Sequence, residues 1–434
     1  MRKIHERDNS YALLRYLVDA YALGSFRKVR YVGRENLPKD GAVIFAPNHC
    51  CALMDAFAVL AMDKRRKVFV ARADIFQKPV INKILTFMKI MPIHRVRDGF
   101  RSVLSSEDTI EKSIDVLNNG VPFCILPEGT HRAMHSLLPL GKGISRIALG
   151  ADQVMQDGRH VRIVPLGLEY SDYFRFRSTL LVTIGKPIDV TDYIAANPDK
   201  GTPELLLGIR TLTAEGMKPL IVYLPDDDAY EASWELAKLQ TGTVPEGKLQ
   251  ARWQANRAAV DKLERLRERM PEKAAALFEK AVAWKQARQE ARVSLLAARA
   301  RKPLAAAIWR TLKMLVATPF ALAFALASVP GWGVAEKLAC SMKDPAFRNS
   351  LRCGVLIVLW TLLLLIAAIV LFCTVKWYWA LAAVLLLIPA PMLTYDWFEQ
   401  MRRLASAWRY ACNGRLQRQK QVLMDVLETE LKNI

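Results

Sequence analysis

The sequence predicts an α/β protein: a mostly parallel sheet covered by helices, continued by a helical extension and C-terminal transmembrane helices. Two patterns predict it. From about residue 29 to 190, short β-branched apolar runs alternate with helix-period segments, the pattern of a sheet buried on both faces. Beyond residue 314, long stretches carry almost no charge, as a bilayer requires.

Taken in order, residues 1–28 form an amphipathic segment. The run YALLRYLVDAYALGSF (11–26) is apolar over most of a helical face but too short and interrupted to span. It is either a core-packing helix or an interfacial one, in which case the following RKVR meets anionic headgroups. The domain at 29–190 contains five strand-like runs: AVIFAP (42–47), KVFVA (67–71), VPFCILP (121–127), RIVPLGL (162–168) and LLVTIG (180–185). Helical patterns fall at about 52–62, 78–90, 105–118 and 141–150. In such sheets the loops at strand ends carry the chemistry. Asn48-His49, Pro127-Glu128-Gly129-Thr130 and Pro165 follow strand runs and are expected to converge on one edge.

Residues 191–313 are a mixed, then basic, helical region. PDDDAYEASWELAKLQ (225–240) has the acidic start of a helix. Residues 247–313 hold 17 Lys+Arg against 6 Asp+Glu. Apolar residues there recur at 3–4 spacing (Trp253, Val260, Leu263, Met270, Leu277, Ala281, Trp284), and Pro271 sits at a natural helix start. Two amphipathic helices follow, either a solvated hairpin or one with its basic face on a membrane.

A membrane region is expected at 314–400. Gly354–Val375 has 22 uncharged residues, enough for roughly 33 Å of helix. Trp377–Leu393 has 17 and begins with aromatic interface anchors. Arg348 and Arg352 precede this hairpin, and Arg402 and Arg403 follow it, so both ends belong on the cytoplasmic side, as does the α/β domain. Leu315–Val329 is interrupted by Pro319 and flanked by Lys/Arg on both sides. A single crossing would put one basic flank on the wrong side, so a re-entrant or interfacial segment is expected. Residues 401–434 read as a basic C-terminal helix.

Composition narrows the classes. The 434-residue chain has room for more than one domain, and its net charge of +20 points to an anionic partner. A hydrophobic fraction of 52%, concentrated toward the C-terminus, favours an acidic membrane over nucleic acid, for which no binding module is present. The seven cysteines are scattered and odd in number, which fits a reducing compartment and not a disulfide framework. The charged MRKIHERDNS start does not read as a signal peptide.

The stretch FAPNHCCALMD (45–55) concentrates chemistry. Three readings compete: a metal site, a cysteine nucleophile with its base, and a His49 base oriented by Asp55. Zinc ligands are usually spaced by two to four residues so that several reach one ion, and His49, Cys50 and Cys51 are consecutive. Catalytic triads typically draw the base from a distant segment, and small cysteines at a strand-to-helix turn usually pack. A carboxylate that fixes the imidazole tautomer and stabilises its positive form makes histidine a better base.

Four segments in order resemble the glycerolipid acyltransferases, the PlsC-like lysophosphatidic acid and glycerol-3-phosphate acyltransferase family. They are Asn48-His49…Asp55, Pro92-Ile93-His94-Arg95, Leu126-Pro127-Glu128-Gly129-Thr130 and Ile163-Val164-Pro165. The resemblance covers roughly residues 28–190. The sequence departs from the family twice: five residues separate His49 from Asp55 where four are usual, and His131 stands at the usual arginine position, with Arg132 next.

The resemblance implies a glycerol-phosphate acyltransferase-like fold and a membrane-bound enzyme of phospholipid synthesis. It would move a fatty acyl group from acyl-CoA or acyl carrier protein to the hydroxyl of lysophosphatidic acid, without metal or cofactor. Glycerol-3-phosphate or a lyso-aminolipid are alternative acceptors, and a non-catalytic membrane scaffold is the rival class. The implied roles are His49 as base, Asp55 as its orienting group, and Arg95 with Arg97 as the phosphate anchor. Glu128 would bind the glycerol backbone, Gly129 would allow close backbone approach, and Thr130 would add a hydroxyl. Asn48, Arg132 and Pro165 complete the substrate-binding set. Cys50 and Cys51 would be bystanders, and Lys142 a surface charge.

Overall fold

The structure, a computed structural model, describes residues 3–93, 100–155 and 158–432. The chain divides into two compact units. One comprises Met1–Ile221 together with Asp344–Ser350, the other Val222–Lys343 together with Leu351–Ile434.

The first unit is built on an eight-stranded sheet: β1 (Lys28–Val32), β2 (Ala42–Pro47), β3 (Val68–Arg72), β4 (Ile90–Ile93), β5 (Phe123–Cys124), β6 (Val161–Tyr170), β7 (Thr179–Ile184) and β8 (Ile188–Asp189). Its helices are α1 (Asn9–Gly24), α2 (Leu53–Leu60), α3 (Pro79–Phe87), α4 (Phe100–Asn118), α5 (Gly143–Val154), α6 (Val190–Ala195) and α7 (Thr202–Met217). The strand order is β1-β7-β6-β2-β5-β3-β4, with β8 paired to β6. All pairings are parallel except those of β6 with β7 and β8. The sheet is therefore mostly parallel, as the alternating pattern predicts.

Strand β2 shows why. All six residues of AVIFAP are buried. Successive side chains point to opposite faces, so Ala42, Ile44 and Ala46 join one core cluster while Val43 and Phe45 join another. Phe45 and Phe123 are fully buried, and truncating either to alanine would cost about 3–5 kcal/mol through the cavity left behind.

Several expectations are adjusted. The run 121–127 forms ladder pairs only at Phe123 and Cys124, because Pro122 and Pro127 lack the N–H a ladder needs. Strands β1 and β4 were not legible. Both are sheet edges, β1 rich in polar residues and β4 containing Pro92, which an edge tolerates. Helix α1 buries Tyr11, Val18 and Ala22, while Leu13, Tyr16 and Leu23 are exposed. Helix α3, expected to cover the sheet, buries none of its residues.

The second unit is helical: α8 (Tyr230–Gln240), α9 (Leu249–Arg269), α10 (Pro271–Glu290), α11 (Leu295–Ala298), α12 (Pro303–Ala327), α13 (Val329–Cys340), α14 (Pro345–Val355), α15 (Thr361–Thr374), α16 (Trp377–Leu387), α17 (Ala390–Ala411) and α18 (Gly414–Lys432). The first turns of α14 belong to the α/β unit. Pro271 begins α10, as its fixed φ and missing N–H favour. Leu263, Leu277, Ala281, Trp284 and Leu427 share one core.

Among the described residues, two helices are long and apolar enough to cross a membrane: Pro303–Ala327, and the 30-residue helix Pro345–Thr374 that joins α14 and α15 through a π-helical stretch. The re-entrant break expected within 315–329 is absent from the helix, because α12 runs continuously through Pro319 to Ala327. The break falls instead in the presumed second hairpin helix. There α16 stops before Pro389, and α17 continues at a 44° bend, so the pair counts as a span only if taken together.

Candidate active site

Three neighbouring strands, β6, β2 and β5, run parallel or are linked by parallel pairings, so their C-terminal ends open on one edge. Strand β2 delivers Asn48 and His49 there, β5 leads into Glu128, and β6 ends at Tyr170. Sequence reasoning found the first two.

Asn48 acts as a piece of false strand. Its Nδ2 donates to Leu168 O (3.2 Å), and its Oδ1 accepts from Leu168 N–H (2.6 Å). The side chain is buried and extends the β2–β6 ladder by one step. Its amide thus fixes the chain immediately before His49.

Next comes a turn that doubles back. Ala52 has φ 48° and ψ −125°, a sparsely populated positive-φ conformation that costs a non-glycine residue of order 1–3 kcal/mol. This bend lets Asp55 reach back across the five residues that separate it from His49. Asp55, fully buried in the first turn of α2, points back at the residues before it. Its Oδ2 accepts from His49 Nδ1–H, Cys50 N–H and Cys51 N–H, each at 2.8 Å. Its Oδ1 accepts from the Tyr170 hydroxyl at 2.6 Å.

Four donors on one buried carboxylate decide the chemistry of His49. An accepting carboxylate favours the tautomer with its proton on Nδ1, leaving the lone pair on Nε2. Among the described residues His49 Nε2 makes no hydrogen bond, and the side chain retains 16% exposure. One ring nitrogen of His49 is committed to Asp55, and the other is placed to take a proton.

The cysteines lack the properties of nucleophiles. Burial, with the Asp55 charge beside them, pushes both thiols well above their ordinary value. A thiol kept protonated is a poor nucleophile. Cys51 donates its S–H to Tyr173 O instead, and all seven cysteines are free.

Glu128 is also committed. Its Oε1 accepts from His49 N–H (2.7 Å) and its Oε2 from Leu138 N–H (2.8 Å), so the carboxylate staples the β2 and β5 loops together. Burial raises its pKa, partly offset by those two N–H donors. Arg132 completes the staple, donating its N–H to His49 O (2.9 Å) and an Nη2 hydrogen to Ser136 Oγ (2.6 Å). Gly129 takes φ 68°, and its N–H is used by Leu126 O. Thr130 makes no hydrogen bond among the described residues. His131 stands edge-on to His49, with ring centroids 5.4 Å apart, and pairs through Nε2 with Asp344 Oδ2 at 2.6 Å.

Pro165 lies inside β6, packed against the backbone of Gly185 and near Gly216 of α7. It belongs to the core three residues before the Asn48 staple. Lys142 is exposed at the start of α5. Arg95 and Arg97 lie outside the described residues.

Tyr170, Tyr173 and Asp344 escaped the sequence. Tyr170 closes an ordinary apolar strand, and Asp344 lies 213 residues from its partner His131, so no local pattern marks either. One group of metal-ligating type occurs among the described residues: His160, Asp189 and Asp192. It flanks the start of β6, at the opposite end from Tyr170, and Arg162 already supplies a cation to Asp189 at 3.1 Å.

Residues 28–169 match the family model described as Acyltransferase. The chain is 27% identical over 124 residues to a chloroplastic 1-acyl-sn-glycerol-3-phosphate acyltransferase of Arabidopsis thaliana, covering 28% of this chain and 33% of that one. It is 30% identical over 122 residues to the 1-acyl-sn-glycerol-3-phosphate acyltransferase of Borreliella burgdorferi, covering 28% and 46%. The chain thus spans less than half the length of these curated relatives. The crystal structure of PlsC from Thermotoga maritima, a 1-acyl-sn-glycerophosphate acyltransferase, is similar over 50% of this chain and 83% of its own, at 20% identity and TM-score 0.36. The match to the Acyltransferase family model spans the strands and loops that carry His49, Asp55 and Glu128, and over that stretch the α/β domain is similar to 1-acyl-sn-glycerol-3-phosphate acyltransferases.

Proposed function

We propose that the protein is a membrane-bound acyltransferase that moves a fatty acyl group from an acyl thioester to the hydroxyl of lysophosphatidic acid. One observation carries the reading: a histidine at the open end of the sheet, its Nδ1 locked to a buried carboxylate and its Nε2 left unbonded.

The steps follow from that geometry. His49 Nε2 takes the proton of the acceptor hydroxyl as its oxygen attacks the thioester carbonyl carbon. Asp55 stabilises the imidazolium that forms. The tetrahedral intermediate collapses with loss of the thiolate, which takes the proton back from His49. An ester and a free thiol leave, and no protein atom is acylated. Glu128 holds the His49 backbone through Oε1, and its remaining lone pairs are the proposed acceptors for the glycerol backbone of the substrate. Arg95 and Arg97 remain the proposed phosphate anchor, and the turn at Gly129–His131 is the proposed support for the oxyanion.

The bilayer is the proposed partner of the whole chain, with the α/β unit on its cytoplasmic side. Besides the apolar helices of the second unit, α3 supports this. Val80, Ile81, Ile84 and Phe87 are exposed on this short helix, alongside Lys78 and Lys83, the make-up of an interfacial helix on an anionic surface.

Transfer by the purified full-length protein tests the reading. Labelled acyl-CoA and acyl carrier protein are offered with lysophosphatidic acid, glycerol-3-phosphate or a lyso-aminolipid. Labelled phosphatidic acid from lysophosphatidic acid is expected. Product only with another acceptor would reassign the substrate, and no product with any of them would favour a scaffold.

A further inference from the structure

The segment Asp344–Ser350 lies far beyond the family-matched residues, yet it is part of the same compact unit as the catalytic domain. It is also the start of the 30-residue apolar helix Pro345–Thr374. Three of its side chains reach the site. Ser350 Oγ accepts from Leu53 N–H at 3.1 Å, and Asn349 Nδ2 donates to Tyr173 O at 3.2 Å. Asp344 Oδ2 pairs with His131 Nε2, as described above. Ser350 and Asn349 are both buried.

The first of these contacts answers a local need. The opening N–H groups of a helix have no partner inside it, and a side chain at the N-cap position normally supplies one. In α2 that position is Ala52, which has no side-chain acceptor and sits in a strained positive-φ conformation. Ser350 supplies the missing acceptor from 297 residues away. The turn it caps is the one from which Asp55 reaches back to His49. Asn349 holds the same turn indirectly, because the Tyr173 carbonyl it binds also receives the Cys51 thiol.

We propose that Ser350 and Asn349 are positioning residues for acyl transfer: from the start of an apolar helix they cap α2 in trans and hold the strained turn that joins His49 to Asp55. Alignment of the base then depends on the segment Asp344–Ser350 keeping its place within the α/β unit. The proposal rests on the acyl-transfer reading above for its kinetic part.

The test uses the full-length protein with the acceptor that the wild type acylates. Ser350→Ala, Ser350→Thr and Asn349→Ala are compared for kcat, for KM of the acyl donor, and for hydrogen exchange of the α2 first-turn amides. Loss of a helix cap corresponds to about tenfold. Ser350→Ala is therefore expected to lower kcat about tenfold, to leave KM within about twofold, and to accelerate exchange at Leu53 by a similar factor. Ser350→Thr, which keeps the oxygen, is expected to restore both. If the Ser350 variants do not fold, Asn349→Ala carries the kinetic test, with a fall in kcat at unchanged KM expected. Wild-type kcat in the folded alanine variants, or unchanged exchange at Leu53, overturns the proposal. An inactive wild type would refute the acyl-transfer reading instead, and the exchange measurement would still decide whether the cap exists.

Discussion

Two histidine–aspartate pairs of nearly equal length occupy opposite ends of β6. His49 meets Asp55 at 2.8 Å where the strand ends, and His160 meets Asp189 at 2.9 Å where it begins. Distance does not separate them, but surroundings do. Asp55 has no exposure and gathers two backbone N–H groups and a tyrosine hydroxyl besides the imidazole. Asp189 is partly exposed, shares its charge with Arg162, and caps α6 through Asp192 N–H. The first arrangement over-determines one tautomer of one histidine. The second is a solvated surface network, of the kind that contributes little to stability. A His–Asp contact becomes catalytic evidence only when the carboxylate is buried and its remaining lone pairs are filled.

This contrast can be broken at either end. The largest effect is expected from His49→Ala, which removes the base. A general base contributes about 10²–10⁴-fold, so kcat should fall by at least about a hundredfold in steady-state transfer assays, and a lowered thermal midpoint should accompany it because the buried Asp55 loses one of its four donors. Asp55→Asn should come close to it. Its amide can present an N–H to Nδ1 and so favour the wrong tautomer, and it leaves Cys50 and Cys51 N–H groups with a weaker acceptor. Loss of stability is expected as well, readable as a lowered thermal midpoint.

Tyr170→Phe ranks third. It deletes one of four bonds to a buried carboxylate, worth roughly 1–3 kcal/mol when a buried group is left short of a partner. A fall in kcat of about tenfold with unchanged donor KM is expected. Cys51→Ala should change transfer by less than about threefold, since only a weak S–H bond is lost. Native Cys50 and Cys51 should resist alkylation at neutral pH, when mass spectrometry finds the exposed Cys340 and Cys412 labelled. The smallest effect belongs to His160→Gln, which should leave transfer unchanged. A large loss there would mean that the two pairs are not different in kind.

How much of this was legible in the sequence follows from range. AVIFAP announces a buried strand because its neighbours on both faces are apolar, a property visible locally. His49, Asp55 and Glu128 were legible because they follow strand ends within recognisable motifs. Tyr170 was not, because a tyrosine closing an apolar strand looks like core until Asp55 is placed beside it. Ser350 was beyond reach for the same reason, being 297 residues from the amide it caps. Glu128 and Asn48 show a subtler limit. Their positions were anticipated, but the structure commits their polar atoms to the backbone around His49. In the apolar C-terminal region, composition announced helices long before it could say where they break. Pro319 is absorbed within α12, whereas Pro389 precedes a bend.

The central claim is direct attack by a hydroxyl that His49 deprotonates, with no acylated protein between. The measurement that meets it most directly is rapid quenching of the wild-type protein with labelled acyl thioester in the absence of acceptor, followed by analysis of protein-bound label. The account predicts none, together with prompt label in lipid product once acceptor is added. Label recovered as a thioester on Cys50 or Cys51, formed and discharged at the rate of turnover, would contradict it.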